Sequence, residues 1–169
     1  MKTHFTKTSR NRGSSLIETV IAMGVLAIAI PLVFGAIAES GKSGMSSEAE
    51  TRSSWIVPAC MDEIQASRDG FPRFFTTTKA GQALPVGGSL WALGFSSEGE
   101  PVGKMDQALY DKGTKEIDGK PIRYIATISA TPEVPAATPP MMLVKVTLEY
   151  PSTSPATKRQ KLDFYTRIP

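Results

Sequence analysis

Leu16-Ile17-Glu18-Thr19-Val20-Ile21-Ala22-Met23-Gly24-Val25-Leu26-Ala27-Ile28-Ala29-Ile30-Pro31-Leu32-Val33-Phe34-Gly35-Ala36-Ile37-Ala38 decides how this chain is organised. Apart from Glu18 and Thr19 it carries no polar side chain. As a helix these residues span roughly 35 Å at about 1.5 Å per residue, enough to cross the hydrocarbon core of a bilayer. The run is apolar all round. A core helix of a small soluble protein should instead keep a polar stripe for solvent. Residues 1–13 precede it with Lys2, Lys7, Arg10 and Arg12 and no acid. A basic flank before an apolar span predicts a cytoplasmic N-terminus, with everything after Ala38 across the membrane.

Those four cations account for the basic balance of the whole chain. The 169 residues hold 19 Lys+Arg and 16 Asp+Glu, so 19 − 4 leaves 15 cations against 16 acids and a body with net charge −1. A near-balanced body offers no basic face for nucleic acid, and no nucleic-acid partner is expected. Cys60 is the only cysteine and His4 the only histidine. An intrachain disulfide and a cysteine zinc site are therefore excluded. A nucleophilic triad could recruit only a histidine in the basic tail, so the chain does not read as an enzyme. There is no phosphate-binding glycine loop, no dinucleotide fingerprint, no metalloprotease motif and no calcium loop. Neither a cofactor nor a metal is expected.

Glu18 stands out, because a carboxylate inside an apolar span is costly and marks function by default. Gly13 precedes the span directly after Arg10-Asn11-Arg12, and Glu18 is the fifth residue beyond it. The stretch from Gly13 to Ala29 resembles the class III signal of type IV prepilins and type II secretion pseudopilins. The resemblance implies that a prepilin peptidase cuts after Gly13. Ser14 becomes the mature N-terminus, with N-methylation there, and Glu18 takes the fifth mature position. Ser14 stands where the family usually has Phe. In an apolar filament core an unpaired charge is costly, so Glu18 of one subunit would pair with the Ser14 ammonium of a neighbour and select one axial stagger. The segment Trp91–Val102 and the ending Phe164-Tyr165-Thr166-Arg167-Ile168-Pro169 also resemble the pilin-related Verru_Chthon cassette proteins.

The resemblance implies an α+β, pilin-like fold. Residues 1–13 form a leader, 14–38 a transmembrane and filament-core helix, 39–69 its second half, and 70–169 a periplasmic antiparallel β domain. The implied function is a structural, minor pilin or pseudopilin subunit of a type IV pilus or type II secretion-like filament. Its implied partners are the peptidase, other subunits and an inner-membrane assembly platform. The protein would start in the inner membrane and end in a filament or at the cell surface. Two other readings use the same residues. Ala36-Ile37-Ala38 is an ordinary signal-peptidase site, and the span could simply anchor a monomeric binding domain.

The remaining pattern supplies the expected elements. Pro31 should kink the first helix. Gly41 and Gly44 weaken it, and Ser47 with Glu50 forms a capping box for a renewed helix. Ala49, Trp55, Ile56, Ala59, Cys60 and Ile64 recur at helical spacing and are expected to face a core, with a kink at Pro58 and a stop at Asp69-Gly70. Glu48, Glu50, Arg52, Asp62 and Glu63 mark the solvent side. Cys60 reads as a small buried hydrophobe. Residues 71–88 read as loop. Strands are expected at 90–95, near 100–102, and at 121–130, 142–150 and 160–168, with Asp118-Gly119 as a hairpin turn. Trp91, Tyr124, Phe164 and Tyr165 are expected in the core. Lys158-Arg159-Gln160-Lys161 is expected to be a solvated hairpin end, and residues 131–141 an exposed proline-rich connection.

Overall fold

A computed structural model describes residues 16–79, 81–133 and 141–169. Gly13, Ser14 and most of the proline-rich connection lie outside the described residues. One helix, α1, runs without interruption from Leu16 to Asp69, 54 residues. The chain divides into two compact units, residues 1–44 and 45–169. The expected break at Gly41–Gly44 is absent, so Ser47 and Glu50 form no cap; instead the Ser47 carbonyl accepts a hydrogen bond from Thr51 Oγ1 at 2.9 Å. Pro31 and Pro58 both lie inside the assigned helix.

In the first unit α1 is apolar on every side. Each of residues 16–38 is exposed except Ala29, which is half-buried. The helix is long and apolar enough to cross a membrane.

The second unit is an α+β body. Its strands are β1 (Ala92–Phe95), β2 (Pro101–Lys104), β3 (Glu116–Ile117), β4 (Lys120–Pro121), β5 (Tyr124–Pro132), β6 (Met142–Tyr150) and β7 (Gln160–Ile168). A short helix, α2, occupies Gln107–Lys112. Five strands form one antiparallel sheet in the order β2-β1-β5-β6-β7. β3 and β4 make a separate hairpin through Asp118 and Gly119, both at positive φ, as the Asp-Gly signal requires.

Alternation along the strands builds the main core. Trp91, Leu93 and Phe95 join Tyr124, Ala126 and Ile128 of β5 and Met142, Val144, Val146 and Leu148 of β6 on one face. The α1 stripe Ala49, Ile56, Cys60 and Ile64 covers that face. Trp55 does not belong to it. At about 100° per residue it lies one step off the stripe, and it is 59% exposed. On β7 the inward residues Leu162, Phe164 and Ile168 are only half-buried, because β7 is the sheet edge. Tyr165, expected in the core, points away from it and is 61% exposed.

A second, smaller core lies on the other side of the sheet. Ile125 and Ala92 meet Met105, Ile117 and Ile122 from the β2–β5 connection. Period-two reading places Ile122 on the main face, but it falls before β5 begins at Tyr124 and packs with the hairpin instead. Ile117 approaches so closely that a Cβ on Gly94 would lie 2.5 Å from its Cδ1.

Gly113 ends α2 in a conformation nearly exclusive to glycine, with φ 85° and ψ 149°. A Cβ there would sit 2.5 Å from the Ser154 carbonyl oxygen and 2.8 Å from that of Thr153. Gly113→Ala is expected to cost about 2–3 kcal/mol through backbone strain and this clash. Gly119→Asn, at a positive φ with open space around it, is expected to cost well under ~1 kcal/mol. Urea unfolding of a 45–169 fragment, followed by fluorescence of the buried Trp91, measures both.

Candidate functional site

The first unit holds the residue that the sequence singles out. Glu18 lies in the first described turn of α1 and is exposed. It has no ion-pair partner among the described residues. Beside it, Thr19 Oγ1 donates to the Leu16 carbonyl at 2.8 Å, so this hydroxyl is satisfied within the helix. Glu18 is therefore the one acidic side chain on an otherwise apolar helical surface from Leu16 to Ala38. It can accept one cation or several hydrogen-bond donors from another molecule. Gly13 and Ser14 lie outside the described residues, so their placement beside Glu18 is not part of the site's geometry. Pro31 sits nearly four turns further along the same exposed surface, where it removes one backbone donor.

The second unit contains two polar arrangements that sequence periodicity misses. The first centres on Glu149 of β6, which is 1% exposed. Its Oε2 lies 3.0 Å from Arg159 Nη1, and its Oε1 lies 2.9 Å from Lys161 Nζ. Tyr110 Oη of α2 donates to Oε1 at 2.7 Å. Arg159 also donates from Nε to the Ser154 carbonyl at 2.8 Å and from Nη2 to the Tyr110 carbonyl. Its guanidinium carbon stands 4.8 Å from the Tyr110 ring centroid. In the basic run at 158–161, Lys158, Gln160 and Lys161 are exposed as expected, but the Arg159 side chain is fully buried. A buried carboxylate needs opposite charge, and two cations and a phenol satisfy Glu149. Burial, followed by the Glu149 hydrogen bond, pushes the Tyr110 phenol well above its usual range, so it stays a neutral donor. All the partners point at one another, and the cluster pins α2 and the 151–159 turn to the sheet.

The second arrangement centres on Glu63, expected on the wet side of α1 and found 3% exposed. Its Oε1 accepts the backbone N–H groups of Arg73, Phe74 and Phe75 at 3.1, 2.8 and 3.0 Å. This folds the segment after Gly70 back along the helix and brings Phe75 onto Trp91, with ring centroids 4.3 Å apart. Glu63 serves the loop's backbone as a fixed acceptor. Nothing in periodicity separates it from a solvated Glu, because its partners are backbone groups ten to twelve residues away.

Cys60 is fully buried one turn before Glu63. Burial first, and the Glu63 charge second, raise its thiol far above the ordinary range. The thiolate is suppressed and the residue acts as a packed hydrophobe. The described residues contain no group of three or more His, Cys, Asp or Glu side chains that could hold a metal ion.

A cavity of about 300 Å³ opens between the end of α1 and the end of β7. Met61, Ile64 and Ile168 form its apolar lining. Arg68 crosses it and donates from Nη2 to Met142 Sδ at 2.9 Å and from Nη1 to the Pro169 carbonyl. Partial burial lowers the Arg68 pKa. Asp62 and Asp69 stand at the rim. No protein-family model, no curated protein and no solved structure matches this chain.

Proposed function

We propose that this protein is a structural subunit of a type IV pilus or type II secretion-like filament. In this reading it is made as a prepilin, cut after Gly13 and held in the inner membrane by the apolar half of α1. The N-terminus is cytoplasmic before cleavage and the 45–169 body is periplasmic. The observation that carries the reading is Glu18, an exposed carboxylate on an apolar helix surface, with no ion-pair partner among the described residues.

The physical argument runs through burial. Once such helices bundle, Glu18 leaves water, and an isolated carboxylate in an apolar interior costs several kcal/mol. Cleavage after Gly13 creates one α-ammonium group per chain, at Ser14. A neighbour's Ser14 ammonium supplies the missing cation, and only one axial stagger brings the two together. The pair therefore sets register. The cleaved chain is a packing element rather than a catalyst, with no resident cofactor. Its partners are the prepilin peptidase, neighbouring subunits and the assembly platform. Because Glu18 needs a neighbour on its side, the chain is not the outermost subunit at the tip.

Mass spectrometry of the mature N-terminus tests the reading. A chain beginning at Ser14 is the expected result, and any N-methyl group adds 14 Da to the same peptide (about one CH2). A chain beginning at Glu39 would mean an ordinary signal sequence and would sink the proposal. Gly13→Leu places a branched side chain at the scissile bond. It is expected to leave essentially all the protein as membrane-bound precursor on an immunoblot; normal processing of that variant rules out the class III signal.

A further inference from the structure

The five-stranded sheet ends in two unlike edges. β2 is short, starts at Pro101 and meets β1 across a register shift at Gly94/Phe95. Such features blunt an edge against further pairing. β7 has none of them. It runs from Gln160 to Ile168 without proline, glycine or bulge, with β6 on one side and no strand on the other among the described residues. Its backbone direction follows from the ladder. Ile128 N–H donates to the Trp91 carbonyl, and Leu84 and Ala130 exchange backbone bonds at 2.8 and 3.1 Å, so even-numbered residues of β5 bond toward β1. Antiparallel bonding alternates along each strand. Through the β5–β6 and β6–β7 registers, this leaves Lys161, Asp163, Tyr165 and Arg167 with backbone N–H and C=O groups aimed at the open edge. The helix-side face is unfinished there as well. Leu162, Phe164 and Ile168 are half-buried, while their β6 neighbours Leu148, Val146 and Met142 are fully buried.

We infer that β7 pairs antiparallel with β7 of a second copy about a two-fold axis through Tyr165, joining two five-stranded sheets into one continuous sheet. The residues of β7 select this register. With Tyr165 opposite its counterpart, Asp163 faces the second copy's Arg167, Leu162 faces Ile168 and Phe164 faces Thr166, each twice. Opposite charges directly across a strand pair are favourable and like charges are not. An axis through Phe164 would set Lys161 against Arg167 twice, and one through Asp163 would set that carboxylate against itself. An axis through Leu162 runs the pairing into the 3-10 turn Ala156–Lys158. An axis through Thr166 leaves Leu162 unpaired and Asp163 opposite Pro169.

The charges already on this face are compatible with the contact. Asp163 Oδ2 lies 2.9 Å from Lys145 Nζ, its Oδ1 accepts from Thr147 Oγ1 at 2.7 Å, and Arg167 Nε donates to Glu133 at 2.9 Å. A carboxylate has about four acceptor sites and a guanidinium five donors, so both keep capacity across the axis. Lys161 is turned to Glu149. Tyr165, 61% exposed, would be covered at the centre with Lys145 held over its ring. The outward backbone groups supply about six hydrogen bonds, and the half-buried apolar rows of the two copies become continuous. The contact is isologous and closes on itself. It is not the repeat of the proposed filament, needs only the 45–169 body and does not rest on the filament reading.

Disulfide trapping on the full chain in detergent micelles tests it. Cys60 is buried, so the wild-type chain is the blank. Tyr165→Cys is expected to oxidise to a homodimer, because facing residues in a hydrogen-bonded pair have Cα atoms about 5.5 Å apart, within disulfide range. Leu162→Cys and Ile168→Cys chains carrying different tags are expected to cross-link when mixed and not when oxidised separately, since like positions then lie about 20 Å apart. Arg167→Pro removes an outward donor and a charge while leaving the β6 ladder intact. It is expected to lower the mixed yield at least ~10-fold. A Tyr165→Cys homodimer without the mixed 162–168 product would mean another register, and a monomer by sedimentation would mean no contact; either overturns the inference. Filaments from a chain that never cross-links at β7 overturn this contact and leave the filament reading standing. The mixed product from a chain whose mature N-terminus is Glu39 keeps the contact and removes that reading.

Discussion

Replacing Glu18 by alanine is expected to leave cleavage after Gly13 intact and to reduce the protein in sheared filaments at least ~10-fold. The variant keeps the leader and the apolar surface, so membrane insertion and processing proceed. On the proposed function, what it loses is the acceptor for a neighbour's Ser14 ammonium. That ammonium then enters the helix bundle unpaired, at a cost of several kcal/mol, while 1.4 kcal/mol already corresponds to a tenfold change in an equilibrium. Quantitative immunoblots of the sheared and membrane fractions read the partition. Glu18→Asp, with a shorter reach, is expected to fall between the two. Wild-type recovery of Glu18→Ala in filaments would refute the role given to the carboxylate while leaving the cleavage signal in place.

Glu149→Ala is expected to destabilise the body by about 3–5 kcal/mol, the usual cost of stranding a buried charge. Arg159 would keep hydrogen bonds to the Ser154 and Tyr110 carbonyls but lose its only carboxylate in a site with no solvent access. Tyr110 would lose its acceptor, which loosens α2 from the sheet. With total stabilities of about 5–15 kcal/mol for such domains, the loss removes a large part of the margin. Lys161→Ala is the internal control. Its side chain is 49% exposed, and exposed ion pairs contribute ~1 kcal/mol or less. Urea midpoints of the 45–169 fragment compare the two. Similar effects for both would mean that Arg159 is solvated in solution and that the buried cluster does not hold.

The strands and the helix stop were legible for a plain reason. Alternation at 142–150 and 160–168 returns as β6 and β7 with the same limits, because a sheet with one face on a helix demands period two. Asp69-Gly70 ends α1, because a glycine at positive φ stops a helix whatever it packs against. The glycines at 41 and 44 misled. A propensity cost of about 1 kcal/mol each does not interrupt α1, which runs through both glycines.

Side-chain environment was less legible. Trp55 and Ile56 are adjacent in sequence, yet one is exposed and the other fully buried. The difference is 100° of rotation, and only the position of the sheet says where the buried arc ends. Glu63, Glu149 and Arg159 look like ordinary surface charges in a linear pattern. Each is buried because its partners arrive from elsewhere: backbone amides from residues 73–75, a tyrosine from α2 and a turn at 151–159.

By itself, the amino-acid sequence determined an apolar span with one carboxylate near its start, a helix stop at Asp69-Gly70 and a β-rich body of balanced charge. These are properties of local composition and period, and they do not depend on distant residues. Tertiary structure alone decided which charges lie inside, which flank of α1 exposes Trp55, and that a cavity opens beside β7. Burial is a relation between segments far apart in the chain, and no local pattern encodes which segment will cover a given side chain.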